Sequence, residues 1–191
     1  MTRHQFLLSI PIISSVAHAA EHTRKAPELS LLTIDGQRLE LSALRGKVVL
    51  IEFMLTSCPH CQRTARMLSS IQREHGSKGL KVISVAFNDD ANTEAPRFVR
   101  EHAISHAVAT LNRDAVYNFA QLSVVMRHTV PILVLIDRQG VIQAQYEGDS
   151  PFFQNEEASI RALLARYLPA QVSQRSGNSL PPSVNRRMVR F

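Results

Sequence analysis

The chain has 191 residues, 45% of them apolar, with 22 Lys and Arg against 16 Asp and Glu, which suits one domain with a real core. Setting aside Arg3 and, near the other end, Arg175, Arg186, Arg187 and Arg190 leaves 17 basic residues against 16 acidic ones. The body of the chain is therefore nearly neutral and offers no basic face for nucleic acid.

Residues 1–19 run from Met-Thr-Arg-His through an apolar stretch, Phe6 to Val16, to Ala17-His18-Ala19. That is the pattern of a cleaved secretory signal, and the stretch is shorter than the about 20 apolar residues a membrane-spanning helix needs. Residues 20–28 are polar and read as a linker, residues 29–168 as the folded domain. Residues 169–191, rich in Ser, Gln, Asn, Pro and Arg without periodicity, read as a disordered basic tail. Inside the domain, residues 29–32 and 37–41 flank Asp35-Gly36, a hairpin signal. Residues 48–54 are too continuously apolar to have a wet face and predict a central strand covered on both sides. Pro59 opens a helix that runs to about Glu74, with Ala65, Met67, Leu68 and Ile71 on one face. A second buried strand is expected at 80–86, an amphipathic helix at 93–103, a short extended segment at 108–111 and a helix at 114–122. The third core strand is expected at 131–136, a turn at 137–140, an edge strand at 141–146 and the last helix at 152–168.

Cys58 and Cys61 are the only cysteines. Two residues apart, where the central strand meets a helix, they form a disulfide that opens and closes with little backbone motion. A staple is a poor alternative, because closing so small a loop removes little unfolded-state entropy, and a zinc site needs further ligands at the right spacing. A C-x-x-C near a βαβ pattern reads as a redox pair. Cys58 precedes a helix N-terminus, where unpaired N–H groups and the dipole favour a thiolate, and is the expected nucleophile. Cys61, one turn in, is the expected resolving thiol. His60 between them is expected to pair with the thiolate, which makes the disulfide a better oxidant. Glu52 is a carboxyl inside the central strand, a costly position unless it is neutral or paired, and is the expected proton acceptor for Cys61. Pro131 opens a core strand, and a cis Val130-Pro131 bond would leave the Val130 backbone free to pair with an extended peptide; from the residues alone a trans proline at a strand start is favoured by base rate. Pro59 and Val130 are the expected substrate contacts. The expected partners are protein thiols and disulfides and a second protein that resets the dithiol. The expected protein is a periplasmic or secreted monomer with no membrane anchor in its mature form, and no cofactor beyond the Cys58–Cys61 disulfide.

Val49-Leu50-Ile51-Glu52-Phe53 ahead of Cys58-Pro59-His60-Cys61, followed by Val130-Pro131 and Leu135-Ile136-Asp137-Arg138-Gln139-Gly140, resembles the thioredoxin superfamily. The run from Leu41 to Leu50 looks like its TlpA/ResA-like periplasmic branch, related to the AhpC/TSA redoxins. The resemblance spans residues 29–168. It implies an α/β thioredoxin-like fold, a central mixed β-sheet flanked by helices with an N-terminal β-hairpin. It also implies a cis Pro131, Glu52 buried beside the resolving cysteine, and thiol-disulfide exchange. The Pro59-His60 pair is similar to that of DsbA. Ser57 stands where the family has Trp, and Thr129-Val130-Pro131-Ile132 where it has Gly-x-Pro-Thr, so substrate contacts are expected to differ. Two alternatives stay open. One is an SCO-like copper chaperone with Cys58, Cys61 and His128 as ligands, although the cysteines of that branch are three residues apart. The other is an AhpC/TSA-type thiol peroxidase, for which Thr56 is present and the preceding Pro absent. Whether the pair works as oxidant, reductant or isomerase depends on its potential and resetting partner.

Overall fold

The computed structural model describes residues 23–169; the expected signal at 1–19 and the tail from residue 170 onward lie outside the described residues. In chain order the strands are β1 (Arg24–Lys25), β2 (Ser30–Thr33), β3 (Arg38–Glu40), β4 (Val48–Met54), β5 (Leu80–Ala86), β6 (Ala107–Thr110), β7 (Ile132–Ile136) and β8 (Val141–Tyr146). The helices are α1 (Pro59–His75), α2 (Ala91–Glu101), α3 (Arg113–Ala120) and α4 (Glu156–Ala165). One mixed sheet runs in the order β1-β8-β7-β4-β5-β6-β2-β3. β4 pairs in parallel with β5 and antiparallel with β7.

Because successive side chains of a strand point to opposite faces, β4 divides the core. Val49, Ile51 and Phe53 join Ile83, Val85, Val134 and Phe119 on the face covered by α3. Val48 and Leu50 join Leu68, Ile71, Ile160 and Leu164 on the face covered by α1 and α4. Met54 continues that second face into a cluster that holds Cys61. Burying side chains of this size stabilises by about 1.5–3 kcal/mol each. The same parity puts Glu52, between Leu50 and Met54, under α1.

The central strands, the Asp35-Gly36 hairpin and the helix opened by Pro59 stand where the sequence predicts them. Three expectations need correction. Residues 24–25, read as linker, form β1 and pair with Ile142 and Val141, with Ala26 buried behind them; two residues are too few to show periodicity. Consequently β8 is not the edge strand, since β1 covers it. The last helix starts later than predicted, because Pro151–Asn155 forms a 3-10 turn capped by Ser150 before α4 begins.

The Val130-Pro131 bond is cis, and the segment is held by Gly148, whose N–H donates to Thr129 O at 2.9 Å. A Cβ on Gly148 would lie 2.4 Å from Val130 O and 2.7 Å from its carbonyl carbon. Gly148→Ala is therefore expected to cost about 1–3 kcal/mol through overpacking against backbone. This is read as a lower urea midpoint at unchanged slope; an unchanged midpoint would show that the segment yields freely.

Candidate active site

Cys58 is the N-cap of α1, and its sulfur accepts the Cys61 N–H at 3.4 Å. The loop before it is fixed from both sides. Cys58 N–H donates to Leu55 O at 3.1 Å, and the Gln62 side chain donates to Thr56 O at 3.0 Å. Pro59 sits exposed at the first helical position, where its missing N–H costs nothing, and Cys58 is half-buried. Cys61, one turn on, has no exposed surface. Both are free thiols. Val130 and Cys58 pack on the same cluster as Cys61, so the cis-proline segment and the dithiol come together. A cleft of about 380 Å³ adjoins this loop and is lined by Ser57, Gln62, Glu94, Arg97, Phe98 and Glu101 among others.

Glu52 is fully buried. Its Oε2 accepts from Ser84 Oγ at 2.5 Å, and its Oε1 has no hydrogen-bond partner. Burial pushes the carboxyl up to about 8, with the Ser84 hydroxyl opposing and the Glu156 charge adding to the rise. A carboxyl that keeps its proton this long can exchange it near neutral pH. Burial, and next the Glu52 charge, push the Cys61 thiol well above its ordinary range. The two groups thus act on one another: the buried thiol cannot become a nucleophile without a nearby acceptor for its proton.

His60 is placed differently from the expectation. Its Nε2 lies 3.6 Å from Glu156 Oε2 and its ring meets Phe153 edge-on at 5.2 Å. Glu156, at the start of α4, also accepts from Thr64 at 2.5 Å. The imidazole is therefore turned to α4 and not to a sulfur. His128 is engaged at both nitrogens, Nδ1 with Glu147 Oε2 at 2.9 Å and Nε2 with Ser123 O at 2.8 Å. Among the described residues no three His, Cys, Asp or Glu side chains group so as to hold a metal, so Cys58, Cys61 and His128 are not brought together as a ligand set. Thr56 exchanges hydrogen bonds with the Asn88 side chain. Ser84, Thr64 and Glu156 carry no signal strong enough to be singled out in the sequence. Ser84 leaves one trace there, a polar residue in the middle of an apolar strand.

Residues 21–164 match the family model described as Redoxin. The chain is 28% identical over 137 residues to the thiol-disulfide oxidoreductase ResA of Halalkalibacterium halodurans, covering 70% of this chain and 71% of that protein. It is 29% identical over 133 residues to the thioredoxin-like protein YneN of Bacillus subtilis, covering 65% and 71%. A crystal structure of a thioredoxin-family thiol:disulfide interchange protein from Chlorobium tepidum TLS superposes with a TM-score of 0.65 at 19% identity, over 78% of this chain and 99% of that one. That likeness confirms the thioredoxin-like fold.

The unfolded chain releases the Glu52 proton near 4.5, whereas the folded chain keeps it to about 8. Between those values the folded state holds more protons, so stability falls as pH rises. The loss attributable to Glu52 is on the order of a few kcal/mol. Denaturation from pH 6.5 to 8.5 is expected to show a steeper decline for the native protein than for Glu52→Gln; parallel slopes would mean that Glu52 already ionises in the folded state.

Proposed function

The chain belongs to the Redoxin family, and from that premise we propose that it is an exported enzyme that reduces disulfides in protein substrates through Cys58 and Cys61. Its class, thiol-disulfide oxidoreductase, is that of its relatives. The observation that carries the finer reading is the asymmetry of the thiols over a buried carboxyl: Cys58 half-buried at a helix N-cap, Cys61 and Glu52 fully buried. The Cys58 thiolate attacks a substrate disulfide while the Cys61 N–H and the helix N-terminus face the sulfur. Glu52 takes the Cys61 proton; Cys61 attacks the Cys58 sulfur; the substrate leaves as a thiol. Val130, packed beside the dithiol, offers its backbone to an extended segment.

The reducing direction rests on the charges around the pair. The His60 imidazole is committed to Glu156, and the charges acting on Glu52 and Cys61 come from Glu156, Glu52 and Cys58. A dithiol without a paired cation gains little in its reduced form, so its disulfide is a weak oxidant. Export is supported by residues 1–19 and by the persistence of disulfides outside the reducing cytosol. Among the described residues no helix is long and apolar enough to cross a membrane.

A glutathione or dithiothreitol titration is expected to give a potential near the ~−270 mV of thioredoxin, whereas a value near the ~−120 mV of DsbA would reverse the direction. Glu52→Ala is expected to slow release of substrate from the Cys58 mixed disulfide by about 100-fold, and Cys61→Ser to trap that species. Equal slowing of attack and release would remove Glu52 from proton transfer. Intact-mass measurement on the exported fraction is expected to find a chain starting near Ala20; retention of Met1 would overturn export.

A further inference from the structure

Beyond the carboxyl, a row of polar side chains crosses the sheet under α1. Glu52 on β4 and Ser84 on β5 are direct partners in the parallel pairing, and His106 stands immediately before β6, beside them. Ser84 Oγ lies 2.5 Å from Glu52 Oε2 and 2.8 Å from His106 Nε2. His106 Nδ1 lies 2.9 Å from Ser69 Oγ, which also receives the Ser105 N–H at 3.1 Å and lies 3.2 Å from Ala65 O. Ser84 is 0% and Ser69 1% exposed, while His106 as a residue is half-buried. The row starts in the core and ends at His106, which is half-buried just before β6. Apolar side chains would fill the same space without the burden of satisfying every polar atom.

We propose that Ser84 and His106 form a proton relay that connects Glu52 to solvent, resetting the carboxyl after each turnover. The inference rests on the proposed role of Glu52 in the resolving step. Each hydroxyl in the row can point either way. With Glu52 ionised, Ser84 donates to Oε2, His106 Nε2–H donates to Ser84 Oγ, and Ser69 donates to Nδ1. With Glu52 protonated, Oε2–H donates to Ser84 Oγ, Ser84 donates to Nε2, Nδ1–H donates to Ser69, and Ser69 turns to Ala65 O. The two arrangements differ by one proton. Passing from the second to the first, the Oε2 proton moves to Ser84, the Ser84 proton to Nε2, and the Nδ1 proton leaves to water.

During resolution the Cys61 proton goes to Oε1 of Glu52, the oxygen that has no donor. The Cys61 sulfur bonds to the Cys58 sulfur, the bond from Cys58 to the substrate breaks, and the electron pair leaves on the substrate sulfur, which takes a proton from water. A half-turn of the carboxyl group brings the new proton to the Ser84 side, and the row discharges it. The surroundings favour passage over storage. Burial, with the Lys81 charge on β5, holds the His106 imidazole down to about 4.

The test follows release of thionitrobenzoate when the full-length reduced protein meets Ellman's reagent. The first release reports attack by Cys58 and the second reports resolution by Cys61. At about pH 7, where Glu52 begins protonated and must discharge through the row before it can accept from Cys61, His106→Phe, His106→Gln and Ser84→Ala are expected to slow the second release relative to the first by about tenfold or more. Native protein is expected to show a solvent deuterium isotope effect on the second release. His106→Gln decides between roles, because an amide keeps a hydrogen bond to Ser84 but cannot pass a proton, and a half-buried position accepts it. A glutamine variant at the native rate, or a native second release without an isotope effect, overturns the relay. A native protein that gives a single release overturns the proposed function instead.

Discussion

A carboxyl group with no exposed surface, set under a thiol with none, is the constraint around which this molecule is arranged. An ionised carboxylate there has lost its hydration and keeps one hydrogen bond, from Ser84; a neutral one leaves Cys61 without an acceptor. Neither state is comfortable, so the group exchanges its proton near neutral pH instead of at the usual acidic value. The position follows from strand parity: one residue earlier or later, the same side chain would face α3, away from both cysteines.

The helix that carries the thiols is held by polar tethers as well as by its apolar face. Gln62 reaches the loop before Cys58, Thr64 reaches Glu156 on α4, and Ser69 reaches His106 and Ser105. Each such bond contributes about 1 kcal/mol net, less than the burial of Leu68 or Ile71, but each fixes the rotation of α1 about its own axis. Rotation is what keeps Cys61 facing inward and Cys58 at the rim. His60 belongs to the same scheme: its contacts with Glu156 and Phe153 fasten the first turn to the last helix.

Features encoded within a few residues are legible in the sequence alone. The dithiol, the proline that starts α1, the Asp35-Gly36 turn and a carboxyl stranded in an apolar run each carry a local signal. The cis geometry at Pro131 rests on family resemblance, since the base rate of X-Pro bonds favours trans. What stays hidden depends on pairing between distant parts of the chain. Ser84 opposes Glu52 only once β4 and β5 are known to run parallel in that register. His106 joins them only when β6 is laid beside β5. The commitment of His60 to Glu156 spans most of the domain, and so does the pairing of Arg24–Lys25 with β8. An imidazole two residues from a thiol looks like its partner in the sequence because the competing carboxylate is 96 positions away.

The two outermost strands, β1 and β3, are two and three residues long and carry Arg24, Lys25, Arg38 and Glu40. Short, charged borders are poor templates for adding a further strand. With protein disulfides as the proposed substrates, that is a safeguard against aggregation. A visiting chain that pairs lengthwise with an open sheet margin would stay and recruit others, whereas one held through the proposed contact at Val130 would make few bonds and depart when its sulfur is released.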